Sequence, residues 1–137
     1  MKKLISIIIP VFNEEENIDS CYEKLKVVCD QLNKKYNFEF IFTDNASTDK
    51  TFTILKSLQK SDKNIRIFKL SKNFGYQRSI WTGYSLARGD AAIEFDCDLQ
   101  DPPELLPKFL EKWEMGFKII FGIRKSRKEN FFINTMR

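Results

Sequence analysis

Five short runs of apolar residues, at positions 4–9, 38–43, 65–70, 91–95 and 118–122, are separated by stretches with helical spacing. Runs so largely apolar suit parallel strands buried on both faces, because a half-exposed strand would alternate more regularly. Between the first two runs, Ile18, Cys21, Leu25, Val28 and Leu32 mark one stripe of an amphipathic helix. Asn13, with Glu16 three positions later, is read as its cap. A second helix is expected to start near residues 47–49 and to bury Phe52, Leu55 and Leu58. A third is expected over residues 76–87, after an Asn73-Phe74-Gly75 turn. A fourth begins at Asp101-Pro102-Pro103-Glu104, with proline inside its first turn, and buries Leu106, Phe109, Leu110 and Trp113. The order β-α-β-α-β-α-β-α-β predicts an α/β fold of three layers, a mostly parallel sheet with helices on both faces. A chain of 137 residues with 42% hydrophobic content supplies one core.

In such a sheet the strand C-termini converge on one edge, and ligands bind there. The first strand end reads Pro10-Val11-Phe12-Asn13-Glu14-Glu15, the second Thr43-Asp44-Asn45-Ala46-Ser47-Thr48-Asp49, and the fourth Asp96-Cys97-Asp98. Much of this has a structural reading. Asn13 and Ser47 are good helix N-caps, Asp101 and Glu104 a capping pair, and Cys97 a small filler. Asp96 and Asp98 resist that reading, since two carboxylates so close at a sheet rim repel unless a cation or proton intervenes. Mg²⁺ takes one or two protein carboxylates and completes its shell with phosphates and water. The pair therefore suggests a metal–diphosphate site.

Composition removes several alternatives. The chain has no His, which excludes His-based acid–base or triad chemistry. Three cysteines without metal-ligand spacing argue against a disulfide framework or zinc site and suit a reducing cytoplasm. The apolar run after Met1-Lys2-Lys3 stops at Pro10, too short for a signal peptide, and none approaches a membrane-spanning length. The net charge of +4 lies wholly after residue 123, where Arg124, Lys125, Arg127, Lys128 and Arg137 face only Glu129. This tail is either a solvated charge run or a basic segment for anionic lipid or phosphate. With Phe131, Phe132 and Ile133 it suits an interfacial helix. Tail charge alone gives no case for nucleic acid, and no G-x-G-x-x-G follows the first strand to suggest a dinucleotide-dependent oxidoreductase.

The segments SIIIPVFNEEENI, FIFTDNASTDKT, LSKNFGYQRSIWTGYSLARGD, FDCDLQDPPELL and FGIRKSRKE, in this order, resemble the family 2 glycosyltransferases of the GT-A fold. DLQDPPE and GIRKSR resemble their polyprenyl-phosphate branch, the dolichyl-phosphate mannose synthases and bacterial undecaprenyl-phosphate glucosyltransferases. The resemblance implies a Rossmann-like nucleotide-binding half and assigns roles. Pro10, Phe12 and Glu14 match positions lining the nucleotide pocket, and Thr43, Asp44 and Asn45 the segment holding base and ribose. Asp96, Cys97 and Asp98 match the D-x-D motif that binds the sugar-nucleotide and a divalent metal, Mg²⁺ or Mn²⁺. Gln100 matches a position that joins the metal shell, and Arg124 an arginine near the diphosphate.

Two departures stand out. Many members carry two aspartates in the second loop, where this chain has Asn45; and members continue well past Arg137. Residues 1–123 are thus expected to form the N-terminal part of a nucleotide-sugar-binding domain, and 124–137 a basic amphipathic tail cut short. The expected reaction moves a sugar from a UDP- or GDP-sugar to a polyprenyl phosphate with inversion, in the cytoplasm or at the cytoplasmic face of the membrane. The alternative is a non-catalytic nucleotide-binding or interaction fragment, whose exposed apolar surface would favour homo-oligomers.

Overall fold

The computed structural model describes residues 1–123. The chain divides into two compact units, 1–107 and 108–137. In the first unit, four parallel strands lie in the order β3-β2-β1-β4: β1 Lys3–Val11, β2 Tyr36–Asp44, β3 Ile65–Lys69 and β4 Ala91–Glu94. Helices α1 Ile18–Gln31, α2 Thr51–Ser61 and α3 Tyr76–Leu86 connect them. A 3-10 turn, Pro103–Leu105, with Pro102 rather than a side-chain cap at its start, leads into α4, Leu106–Glu114.

The register pairs Ile7 with Phe40 and Ile8 with Ile41. The pleat therefore sends Ile5, Ile7, Ile9, Phe40 and Phe42 to one face, and Ser6, Ile8, Glu39, Ile41 and Thr43 to the other. The first face is covered by α1, whose Tyr22 ring meets Phe40 edge-on at 5.3 Å between centroids, with α2 beside it. The second face is covered by α3. Gly83 approaches so closely that a Cβ there would lie 2.3 Å from Cγ2 of Ile8. The buried Ser79 hydroxyl hydrogen-bonds the carbonyl and hydroxyl of Thr43 at 3.0 and 2.9 Å. The expected three layers form, and the two central strands β1 and β2 carry the core.

At the end of the sheet away from the strand C-termini, the second face holds a charge. Glu39 is buried and accepts hydrogen bonds from the Ser6 hydroxyl (2.7 Å), the Arg66 guanidinium (2.9 Å) and the Arg88 amide (2.9 Å). Burial pushes its carboxyl up, but these bonds outweigh burial and hold it below the usual carboxylate value. The same network pins the turn between α3 and β4. Gly89 N donates to Ser6 Oγ (2.9 Å), and Asp90 Oδ2 accepts from Leu4 N (2.8 Å).

One expected element is missing. Residues 118–122 form no strand, and Phe117, Ile119, Phe121 and Ile123 are each more than half exposed. A strand is stabilised by the ladder of a neighbour, and no strand among the described residues pairs with this segment. No helix among the described residues is long and apolar enough to cross a membrane.

Candidate functional site

The C-terminal ends of β1, β2 and β4 enclose a cavity of about 450 Å³. The end of β1 and the loop after it contribute Pro10, Phe12 and Glu14, the loop after β2 Asn45, and the loop after β4 Asp96, Cys97, Asp98 and Gln100. All eight were expected at the site from the sequence. Thr43 and Asp44 were too, but they lie fully buried and outside the cavity lining. Thr43 is bonded to Ser79 of α3. Asp44 Oδ1 accepts from Ser47 N at 2.8 Å, while Oδ2 makes no hydrogen bond among the described residues and has Lys69 Nζ 3.9 Å away. Arg124 lies outside the described residues.

The helix caps expected at Asn13 and Ser47 are not formed. Asn17 and Lys50 occupy the N-cap positions of α1 and α2, without side-chain cap bonds. The polar residues of the two loops bond to each other instead. Asn13 N donates to Ser47 Oγ (3.0 Å), and Thr48 N returns a bond to Asn13 Oδ1 (2.9 Å). Glu14 N donates to Thr51 Oγ1 (2.8 Å), Glu15 N to Asp49 Oδ2 (3.2 Å), and Lys50 N to Glu15 Oε2 (2.9 Å). Asn13 has φ 53°, a left-handed conformation that Asn tolerates better than most residues. Parallel neighbouring strands bring the two loops side by side, and a partner 34 or 35 positions away displaces the local cap.

A third wall was not anticipated. Asn73, Gly75, Tyr76 and Ser79, from α3 and the turn before it, also line the cavity. Asn45 fixes that turn. Its Nδ2 donates to Asn73 Oδ1 (2.8 Å) and its Oδ1 accepts from Phe74 N (2.9 Å), so both ends of the amide are engaged within the protein. An aspartate at position 45 would have no proton to give Asn73, which accounts locally for the asparagine.

Asp96 is half-buried and Asp98 exposed. Leu99 turns with φ 51°, and Gln100 N donates to Asp98 Oδ1 at 3.1 Å. The Tyr76 hydroxyl hydrogen-bonds Asp96 Oδ1 and, at 3.0 Å, Glu94 Oε1. Burial raises the Tyr76 hydroxyl, and the two carboxylates raise it further. Burial also raises the Glu94 carboxyl, with Asp96 and Asp101 adding to the effect. Cys97 is buried despite lining the cavity; a hydrogen bond with the free Cys21 thiol and burial push its own thiol up, and it fills space.

The donor set suits a hard divalent cation in one way only. Asp96, Asp98 and Gln100 present oxygen donors at one wall. Among the described residues no group of three or more His, Cys, Asp or Glu is placed to hold a metal. A cation here would therefore draw further oxygens from phosphate or water, as Mg²⁺ does.

The family model for glycosyl transferase family 2 matches residues 6–137. The chain belongs to this family. The Bacillus subtilis protein named uncharacterized glycosyltransferase YkcC is 41% identical over 128 residues, which is 93% of this chain and 39% of that protein. The undecaprenyl-phosphate 4-deoxy-4-formamido-L-arabinose transferase of Pseudomonas fluorescens is 32% identical over 95% of this chain and 38% of its own length. Relatives so named bear out the resemblance to the polyprenyl-phosphate branch. Among solved structures, the mannosyltransferase PcManGT from Pyrobaculum calidifontis, in complex with GDP-Man and Mn²⁺, superposes with a TM-score of 0.68. It is 19% identical and the match covers 81% of this chain and 32% of that one. S. aureus TarS in complex with UDP-GlcNAc gives 0.63 at 20% identity, over 92% and 39%. These likenesses bear out the expected glycosyltransferase fold. The chain spans about two fifths of the length of the curated relatives it matches.

Proposed function

We propose that this chain is the donor-binding part of a glycosyltransferase that takes a sugar from a nucleoside diphosphate and gives it, with inversion, to a polyprenyl phosphate. One observation carries the reading: residues from three strand ends meet in one cavity whose β4 side is a pair of carboxylates. Pro10, Phe12, Glu14 and Asn45 form the side for the nucleoside. Asp96, Asp98 and Gln100 would hold Mg²⁺ or Mn²⁺, which when bound neutralises the diphosphate and stabilises it as a leaving group. Without a cation the carboxylates would repel that diphosphate. A lipid phosphate is already an anionic nucleophile at neutral pH, which fits a chain without His. Such an acceptor locates the reaction at a membrane surface, and the relatives named as undecaprenyl-phosphate transferases support that acceptor class.

The test is calorimetric titration of UDP- and GDP-sugars with and without Mn²⁺. One of the two nucleotides should bind the parent chain in a Mn²⁺-dependent way. Asp98→Ala should lose that dependence with an unchanged far-UV spectrum, and affinity unaffected by Mn²⁺ or by the substitution refutes the reading. A second reading rests on the chain spanning about two fifths of its relatives: a nucleotide-binding module without transfer activity. Nucleotide binding without turnover on polyprenyl phosphate selects it.

A further inference from the structure

We infer that Tyr76 is a positioning residue for the Asp96 carboxylate, an inference that rests on the cation reading of Asp96 and Asp98. Its hydroxyl comes from the start of α3, an element separate from the loop carrying Asp96, and reaches Asp96 Oδ1. Holding one oxygen of a carboxylate fixes its plane and leaves the other oxygen for a cation. A hydroxyl has one proton, so Tyr76 donates to Asp96 or to Glu94 at any moment, not to both.

The tyrosine is itself held from two directions. Behind it, Gly75 N donates to Asn73 Oδ1 (2.8 Å) and Asn45 bonds both Asn73 and Phe74. Gly75 has φ 90°, so the sharp entry into α3 needs a residue without a side chain. Ahead of it, Ser79 ties α3 to Thr43, and Gly83 seats the helix on Ile8. The second loop and the carboxylate pair are thereby linked through the start of α3. Groups that orient a metal-ligating side chain from outside the coordination shell tune the affinity for the metal.

Tyr76→Phe keeps the ring against the cavity and removes only the hydroxyl. Free Mn²⁺ measured by electron paramagnetic resonance, in the presence of UDP or GDP, should show Mn²⁺ affinity falling by about 10- to 100-fold. Nucleotide affinity without metal should fall much less than Mn²⁺ affinity, since the bond removed is one to the Asp96 carboxylate. A tyrosine that merely supported the fold would move both affinities together, and that result overturns the inference. So does unchanged Mn²⁺ affinity in Tyr76→Phe while Asp98→Ala abolishes it, and in that case the cation reading stands. Mn²⁺ binding that survives Asp98→Ala removes the cation reading, and the role of Tyr76 with it.

Discussion

Replacing Gly89 with alanine tests whether the turn before β4 is as tight as the structure shows. An alanine Cβ at this position would lie 2.7 Å from the carbonyl oxygens of Ala91 and Leu4 and 2.8 Å from the amide nitrogen of Ser6. All three are backbone atoms, so no rotamer change relieves the contact. Relief requires β1 and β4 to part where Asp90 N donates to Leu4 O (2.7 Å), Leu4 N to Asp90 Oδ2 (2.8 Å) and Gly89 N to Ser6 Oγ (2.9 Å). Three hydrogen bonds weakened at about 1 kcal/mol each, with about 1–3 kcal/mol for overpacking, give a loss of about 4–6 kcal/mol. The smaller conformational freedom of alanine in the unfolded chain returns about 0.4–1 kcal/mol. The net, about 3–5 kcal/mol, is a large share of a typical domain stability of about 5–15 kcal/mol. Urea unfolding followed by circular dichroism measures it. With a slope of about 1–3 kcal/mol per molar, the midpoint should fall by about 2 M. A midpoint within about 0.3 M of the parent would mean that β1 and β4 do not approach as described.

Two further predictions concern the polar residues beside the sheet. Glu39→Gln removes the charge facing Arg66 and should destabilise by about 2–3 kcal/mol at neutral pH, the partial exposure of Arg66 keeping the loss below that of a fully buried pair. Because the folded carboxyl is held below its ordinary value of 4.5, its contribution is present above that pH and lost as pH falls through the lower folded value. The parent should therefore lose urea stability below about pH 4.5 more steeply than the variant, and parallel acid limbs would refute the assignment. Asn45→Asp replaces the Asn73 hydrogen bond with repulsion between two oxygens. It should speed hydrogen exchange at the amides of Phe74 and Gly75 by about tenfold, equivalent to about 1.4 kcal/mol, while leaving β2 protected. Unchanged exchange at those amides would mean that Asn45 does not hold the turn.

The layers were legible because apolar residues dominate β1 and β2, interrupted only by Ser6, Glu39 and Thr43 between positions 4–9 and 38–43, and the α1 stripe is regular; these are local signals. The same signal misled at residues 118–122, since an apolar run does not reveal whether a neighbouring strand exists to pair with it. In the site, the carboxylate pair was visible because two charges directly after an apolar run have few structural uses, although β4 itself is a half-exposed edge strand. Asn13 and Ser47 were misassigned because a capping residue and a cross-loop donor look alike until the loops are side by side. Tyr76 went unassigned for a related reason. An aromatic residue opening a helix carries no sign of chemistry, and its significance comes from Glu94 at the end of β4 and Asp96 just after it, 18 and 20 positions further on.

The most direct test of the account is the location of Mn²⁺. A crystal of this chain grown with Mn²⁺ and the nucleoside diphosphate it binds should show an anomalous scattering peak between the Asp96 and Asp98 carboxylates, with phosphate oxygens completing the shell. A peak elsewhere, or a diphosphate bound in this cavity without a cation at those carboxylates, would contradict it.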